Sequence, residues 1–218
     1  MGLVYEFDPT IHTCDPFVIP KEWTRYRVID FGFTNPFVCQ WWAESPDNVF
    51  YMYKELYHSH RIVSDHAKQI RDHSKAERYI MTIADHDAED RATLEAVGIH
   101  TRAARKNVST GIQEVQKRLL VRENGTPGII LFRNALIEQD RTLVEAKKPT
   151  CTREEFDSYS WPKAGDGKMV KEAPIKIDDH GLDCLKYLCA EFTRPKQGNA
   201  KYYFGSGSIQ DYARNRMR

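Results

Sequence analysis

The sequence predicts an α/β fold built on a mixed central sheet, an antiparallel meander followed by parallel strands, with helices flanking it. Two observations carry that prediction. Three β-rich runs joined by short turns lie close together near the start. Helical periodicity then alternates with short, continuous apolar runs of the kind buried parallel strands show. Apart from the fold, Asp30, Asp85 and Asp183 each interrupt or cap a strongly apolar segment. A carboxylate pointed at a core is costly unless something compensates it.

Taken in order, residues 1–22 are irregular, with Pro9, Pro16 and Pro20, and read as a lead-in segment. Residues 26–33 alternate Ile29, Phe31 and Phe33 against Val28, Asp30 and Gly32, as a strand does. Thr34-Asn35-Pro36 and Pro46-Asp47-Asn48 are turn signals on either side of FVCQWWAES, and VFYMYKELY completes the meander. From Ser64 to Lys75 the period becomes helical, with Ser64 or Asp65 as the expected cap. YIMTIAD is a short apolar run suited to a buried parallel strand. A helix over residues 88–97 follows, stopped by Gly98, and residues 99–103 are a short strand candidate. Ile112, Val115 and Leu119 form one stripe of the next helix. GIILF is another apolar strand, and TREEFDSY is a short helix with Glu155 placed as in a capping box. Residues 161–178 read as a hairpin, and Asp178 or Asp179 is the expected cap of the last strong helix, HGLDCLKYLCAEF. This order is the layout of a ribonuclease H-like sheet. Its domain plan is residues 1–22 as lead-in, 23–195 as the folded domain and 196–218 as a flexible tail.

Composition narrows the function classes. With 32 Lys+Arg against 31 Asp+Glu the net charge is +1, so nucleic-acid binding requires local patches. No apolar run approaches the roughly 20 residues of a membrane span. The five cysteines lack CxxC spacing and read as free thiols. No GxxxxGK[ST] is present, which argues against a P-loop motor, and no GxSxG signals a hydrolase elbow. His58, His60, His66 and His73 lack a zinc context and read as surface or partner-facing.

The aspartates gain meaning together. Neighbouring strands of such a sheet bring Asp30 and Asp85 side by side, Asp85 at the strand-to-helix junction where open sheets place their sites. A late helix can pack Asp183 across them, with His180 three residues earlier on nearly the same side and Asp179 at the helix start. Hard oxygen ligands favour Mg²⁺ or Mn²⁺, and one or two such ions suit phosphodiester hydrolysis.

The motifs resemble those of the nuclease domain of the large terminase subunit of tailed double-stranded DNA bacteriophages. VIDFGFTNPFV is similar to the first family motif, IADHDAEDRATLEAVGI to the second, with His86 where proline is more usual, and DDHGLDCLKYLC to the third. RKNVSTGIQEVQKRL resembles the Lys-to-Gly-Ile region between them. The resemblance covers roughly residues 24–192. It implies a metal-dependent endonuclease that cuts concatemeric phage DNA during packaging. Asp30, Asp85 and Asp183 would be the catalytic metal ligands, with His180 as a further ligand and Asp179 beside them. Lys106 would hold phosphate, and WPKAGDGKMVKEAPIK resembles an element near the active site, with Trp161, Lys163, Lys168 and Lys171 as DNA contacts. The implied partners are double-stranded DNA, the packaging ATPase domain, the small terminase subunit and the portal. The implied location is the host cytoplasm, transiently at the portal, with no membrane. Because the family carries an N-terminal ATPase and this sequence shows no P-loop, the expectation is a C-terminal nuclease part separated from its motor. The alternatives are a related ribonuclease H-like resolvase or transposase, or a non-catalytic domain that docks on DNA or portal.

Overall fold

A computed structural model describes residues 2–105, 108–162 and 173–193. Its elements run α1 (Pro9–His12), β1 (Thr13–Cys14), β2 (Thr24–Asp30), β3 (Phe37–Glu44), β4 (Phe50–His58), α2 (Val63–Ser74), β5 (Met81–Ala84), α3 (Ala88–Glu95), β6 (Arg102–Ala103), α4 (Val108–Leu119), β7 (Ile129–Phe132), α5 (Arg141–Glu145), α6 (Thr152–Glu155) and α7 (His180–Glu191). Among the described residues the strands form one sheet in the order β1-β7-β4-β3-β2-β5-β6. The meander is antiparallel, with Asp30 opposite Val38 and Phe37 opposite His58. Strands β5, β6, β7 and β1 join it in parallel. The predicted fold class is the observed one.

Strand β3 is buried on both faces, which its continuous apolar run requires. Gln40 and Trp42 point toward α7, where the Trp42 indole donates to Gln40 Oε1 at 3.0 Å. Trp41 points the other way and donates to Ser74 Oγ at the end of α2 at 3.0 Å. A register irregularity between the two tryptophans adjusts the pairing with β4. The stripe Ile112, Val115 and Leu119 is buried as its spacing predicts, and α4 packs against α7, whose Leu182, Leu185 and Leu188 are also buried. The cysteines are free, as expected.

Four local expectations are corrected. The opening segment is part of the same core: β1 pairs with β7, and Val4 and Tyr5 are buried. The cap position of α2 is Ile62, with no side-chain cap bond, so neither Ser64 nor Asp65 serves. His66 is not a surface residue; it is fully buried and stacked on Phe37 with ring centres 4.0 Å apart. Asp179 occupies the cap position of α7 but makes no side-chain cap bond. Most of the expected hairpin and all of residues 196–218 lie outside the described residues. Among the described residues no helix is long and apolar enough to cross a membrane.

Candidate active site

Strands β2 and β5 run parallel and adjacent, with Ile29 beside Ala84. The Asp85 amide donates to the Ile29 carbonyl at 3.0 Å, so Asp30 and Asp85 leave the C-terminal ends of two neighbouring central strands together. Just beyond, the chain turns back so tightly that a Cβ on Gly32 would stand 2.5 Å from the Pro36 carbonyl oxygen. Only glycine fits there, so the tight turn after Asp30 depends on it. Asp87, rather than Asp85, caps α3 by accepting from the Glu89 and Asp90 amides, leaving the Asp85 carboxylate available to the cleft.

Helix α7 crosses β2, β3 and β5 and supplies the third side. Its first turn is held by an acceptor from elsewhere in the chain. The buried Glu155 carboxylate accepts from the Gly181 and Leu182 amides at 2.9 and 2.8 Å and from the Tyr57 hydroxyl at 2.7 Å. This gives two of the unpaired amides of the helix terminus an acceptor, while burial pushes the Glu155 carboxyl well above the usual carboxylate range against the pull of those hydrogen bonds. Gln40 donates to the Gly181 carbonyl at 2.9 Å and to Thr152 Oγ1 at 2.7 Å, and the buried Glu55 accepts from Thr152. Gly181 has to be glycine, since a Cβ there would lie 1.9 Å from Thr152 Oγ1.

The result is a cleft of about 680 Å³ lined by Asp30, Asp85, Asp183, His180 and Asp179, with Asn35, His86, Arg105, Lys148 and Lys176 also on its walls. Asp30 is buried, and His180 Nδ1 lies 3.1 Å from its Oδ2. The Tyr187 hydroxyl donates to Asp30 Oδ1 at 3.3 Å and lies 3.5 Å from Asp85 Oδ1. His86 Nδ1 lies 3.3 Å from Asp85 Oδ1. Lys186 forms an ion pair with Asp183 and lies 3.6 Å from Asp179 Oδ2.

The electrostatics reflect crowded negative charge. Burial pushes the Asp30 carboxyl up to about 6; the His180 hydrogen bond opposes this, while the Asp183 and Asp85 charges add to it. Burial works against a charged His180, but the Asp30 carboxylate together with the Asp179 and Asp183 charges raises its pKa above the ordinary histidine value. Burial likewise works against the Lys186 ammonium, yet Asp183 and Tyr159 hold it well above the usual lysine range.

Sequence reasoning thus named five residues that share one cleft: Asp30, Asp85, Asp183, His180 and Asp179. It did not single out Tyr187 or Lys186, although both lie in the quoted LKY triplet one turn beyond Asp183. Arg105, Lys148 and Lys176 were not expected as cleft residues either. Trp161 is packed against the core, and its amide donates to the Gly2 carbonyl at 3.0 Å. Lys106, Lys163, Lys168 and Lys171 lie outside the described residues.

The donor set fits a hard divalent cation in chemistry, being carboxylate oxygens with one imidazole. Asp30 is desolvated among like charges, and Asp179 Oδ2 is buried without a hydrogen-bond partner. As the side chains stand, among the described residues no three His, Cys, Asp or Glu groups gather closely enough to hold one ion. Asp183 is turned to Lys186, and the Tyr187 hydroxyl lies within hydrogen-bond distance of both Asp30 and Asp85.

The site thus consists of carboxylates at the ends of two adjacent strands of a mixed sheet, Asp30 and Asp85, and on the helix that crosses them, Asp183. Among solved structures the fold is that of large terminase nuclease domains. The large terminase from the thermophilic bacteriophage D6E superposes with a TM-score of 0.68 at 21% identity, over 89% of this chain and 46% of that one. The P22 large terminase nuclease domain gives 0.66 at 17% identity, over 87% and 92%. The large terminase nuclease from thermophilic phage G20c gives 0.54 at 14% identity, over 89% and 100%. The chain therefore spans about half the length of the D6E protein and nearly all of the two nuclease domains. No protein-family model matches the sequence, and a search of curated proteins finds no match.

Proposed function

We propose that this chain is a divalent-metal-dependent endonuclease that cleaves concatemeric double-stranded phage DNA during genome packaging. The observation that supports it best is the meeting of Asp30, Asp85, Asp183 and His180 in one cleft at the ends of neighbouring central strands. Asp30, Asp85 and Asp183 are the ligands of Mg²⁺ or Mn²⁺, with His180 and Asp179 at the edge of the same site. A cation bound there lowers the pKa of coordinated water and offsets charge on the phosphate.

The chain's own residues do the rest. His180 and the Tyr187 hydroxyl hold the Asp30 carboxylate in one orientation, from its two oxygens. Glu155 fixes the first turn of α7, and with it the placement of His180 and Asp183. Arg105, Lys148 and Lys176 sit on the cleft wall, where they can neutralise a phosphate backbone. Lys106, Lys163, Lys168 and Lys171 are further candidate DNA contacts in this reading. Contacts of this kind position DNA without reading bases, so sequence preference is low. The partners are DNA, the packaging ATPase domain, the small terminase subunit and the portal, and the setting is the host cytoplasm.

Plasmid cleavage with Mg²⁺, Mn²⁺ or EDTA, using wild type and Asp183→Ala, tests this. Cutting should require the metal and disappear in the variant. Cutting in EDTA, or full activity of Asp183→Ala, would remove the mechanism. Strand-transfer products would move the assignment to a transposase-like enzyme.

A further inference from the structure

Lys186 brings a positive charge into the cleft that the proposed chemistry does not use. It is 4% exposed, whereas lysines usually extend their ammonium to water. The ammonium pairs with Asp183 Oδ1, donates to the Tyr159 hydroxyl at 3.0 Å and stands 4.9 Å from the centre of the Tyr159 ring. Asp179 Oδ2, buried and without a hydrogen-bond partner, lies 3.6 Å away. The stem is fixed as firmly as the tip. Gly111 of α4 packs against it so closely that a Cβ there would stand 3.1 Å from Lys186 Cβ. One end is thus set by the absence of a side chain on α4 and the other by a hydroxyl and two carboxylates.

The cleft is thereby divided electrostatically. Asp183 and Asp179 face the Lys186 ammonium, while Asp30 and Asp85 face the imidazoles of His180 and His86 and the Tyr187 hydroxyl. We infer that Lys186 is a resident cation of the site, standing where a second divalent ion would otherwise be drawn. The site at rest then takes up one ion, held chiefly by Asp30 and Asp85, and a second enters only when Asp183 is released from Lys186. This inference rests on the reading of the cleft as a metal site.

Isothermal titration with Mn²⁺, checked by the paramagnetic resonance signal of free Mn²⁺, tests it without reference to cleavage. DNA-free wild type should bind one ion per chain. Lys186→Met, which keeps the stem and removes the charge, should bind two, with the first held roughly ten- to a hundredfold tighter, the repulsion that one unit charge a few ångström away exerts on a divalent ion at a dielectric near that of water. Two ions of similar affinity in wild type, or unchanged number and affinity in a folded Lys186→Met, overturn the inference while leaving the nuclease reading intact. No Mn²⁺ uptake by wild type overturns both. If Lys186→Met does not fold, Lys186→Gln, which also removes the charge and keeps a donor for Tyr159, carries the same expectation of two ions.

Discussion

Asp30 is desolvated at the end of a central strand, and its cost appears as a carboxyl pushed up to about 6. The metal-free fold therefore binds that proton more tightly than the unfolded chain does. The stability that follows is present at low pH and is lost as pH rises through about 6. Asp30→Asn should stabilise the metal-free protein near neutrality by ~3 kcal/mol at most, and should abolish any gain in melting temperature on adding Mn²⁺. Thermal melts of the two proteins with and without Mn²⁺ check this; an Asp30→Asn protein still stabilised by Mn²⁺ would show that the ion sits elsewhere. His66 acts with the opposite sign. Burial first, then the Arg61 and His58 charges, lower its pKa to about 4, so stability is lost as pH falls from the ordinary histidine range toward 4. His66→Leu should remove a dependence of ~3 kcal/mol over that window, read from denaturant midpoints at several pH values. At this scale Asp30 was legible because a charge in a strand stands out against its neighbours. His66 was not, because stacking on Phe37 depends on a loop and a helix that bring two distant residues together.

Helix α7 shows how an element is placed by residues far from it in sequence. Its length and apolar face follow from local periodicity, and its start at His180 was expected to be set by a neighbouring aspartate. Instead Glu155, 26 residues upstream, accepts from its first free amides, while Gln40 from β3 donates to the Gly181 carbonyl. Glu155 looked like a local capping-box residue of α6, a reading that spacing alone supports equally well. Only the packed structure separates the two. Glu155→Gln leaves the size unchanged but puts an amide donor among three donors, which should cost ~2 kcal/mol and weaken Mn²⁺ binding through displacement of His180 and Asp183. Denaturant melts together with Mn²⁺ titration check this. A variant that loses stability but keeps wild-type Mn²⁺ affinity would show that the carboxylate supports the fold without setting the site.

At the scale of the molecule, the antiparallel meander and the parallel strands after it were readable because each strand carries its own apolar run and turn signal. The opening segment was not, since β1 is two residues long and is specified by pairing with β7, more than a hundred residues later. The order of strands matters most for the central claim, because β2 and β5 must be neighbours for Asp30 and Asp85 to meet, and they are. Whether the cleft they share with α7 is a metal centre is tested most directly by diffraction from a Mn²⁺-soaked crystal at the manganese edge. An anomalous peak in contact with Asp30 and Asp85, in the cleft bounded by Asp183, is the expected result. No peak there at saturating Mn²⁺, or ordered manganese only at other places on the surface, would contradict it.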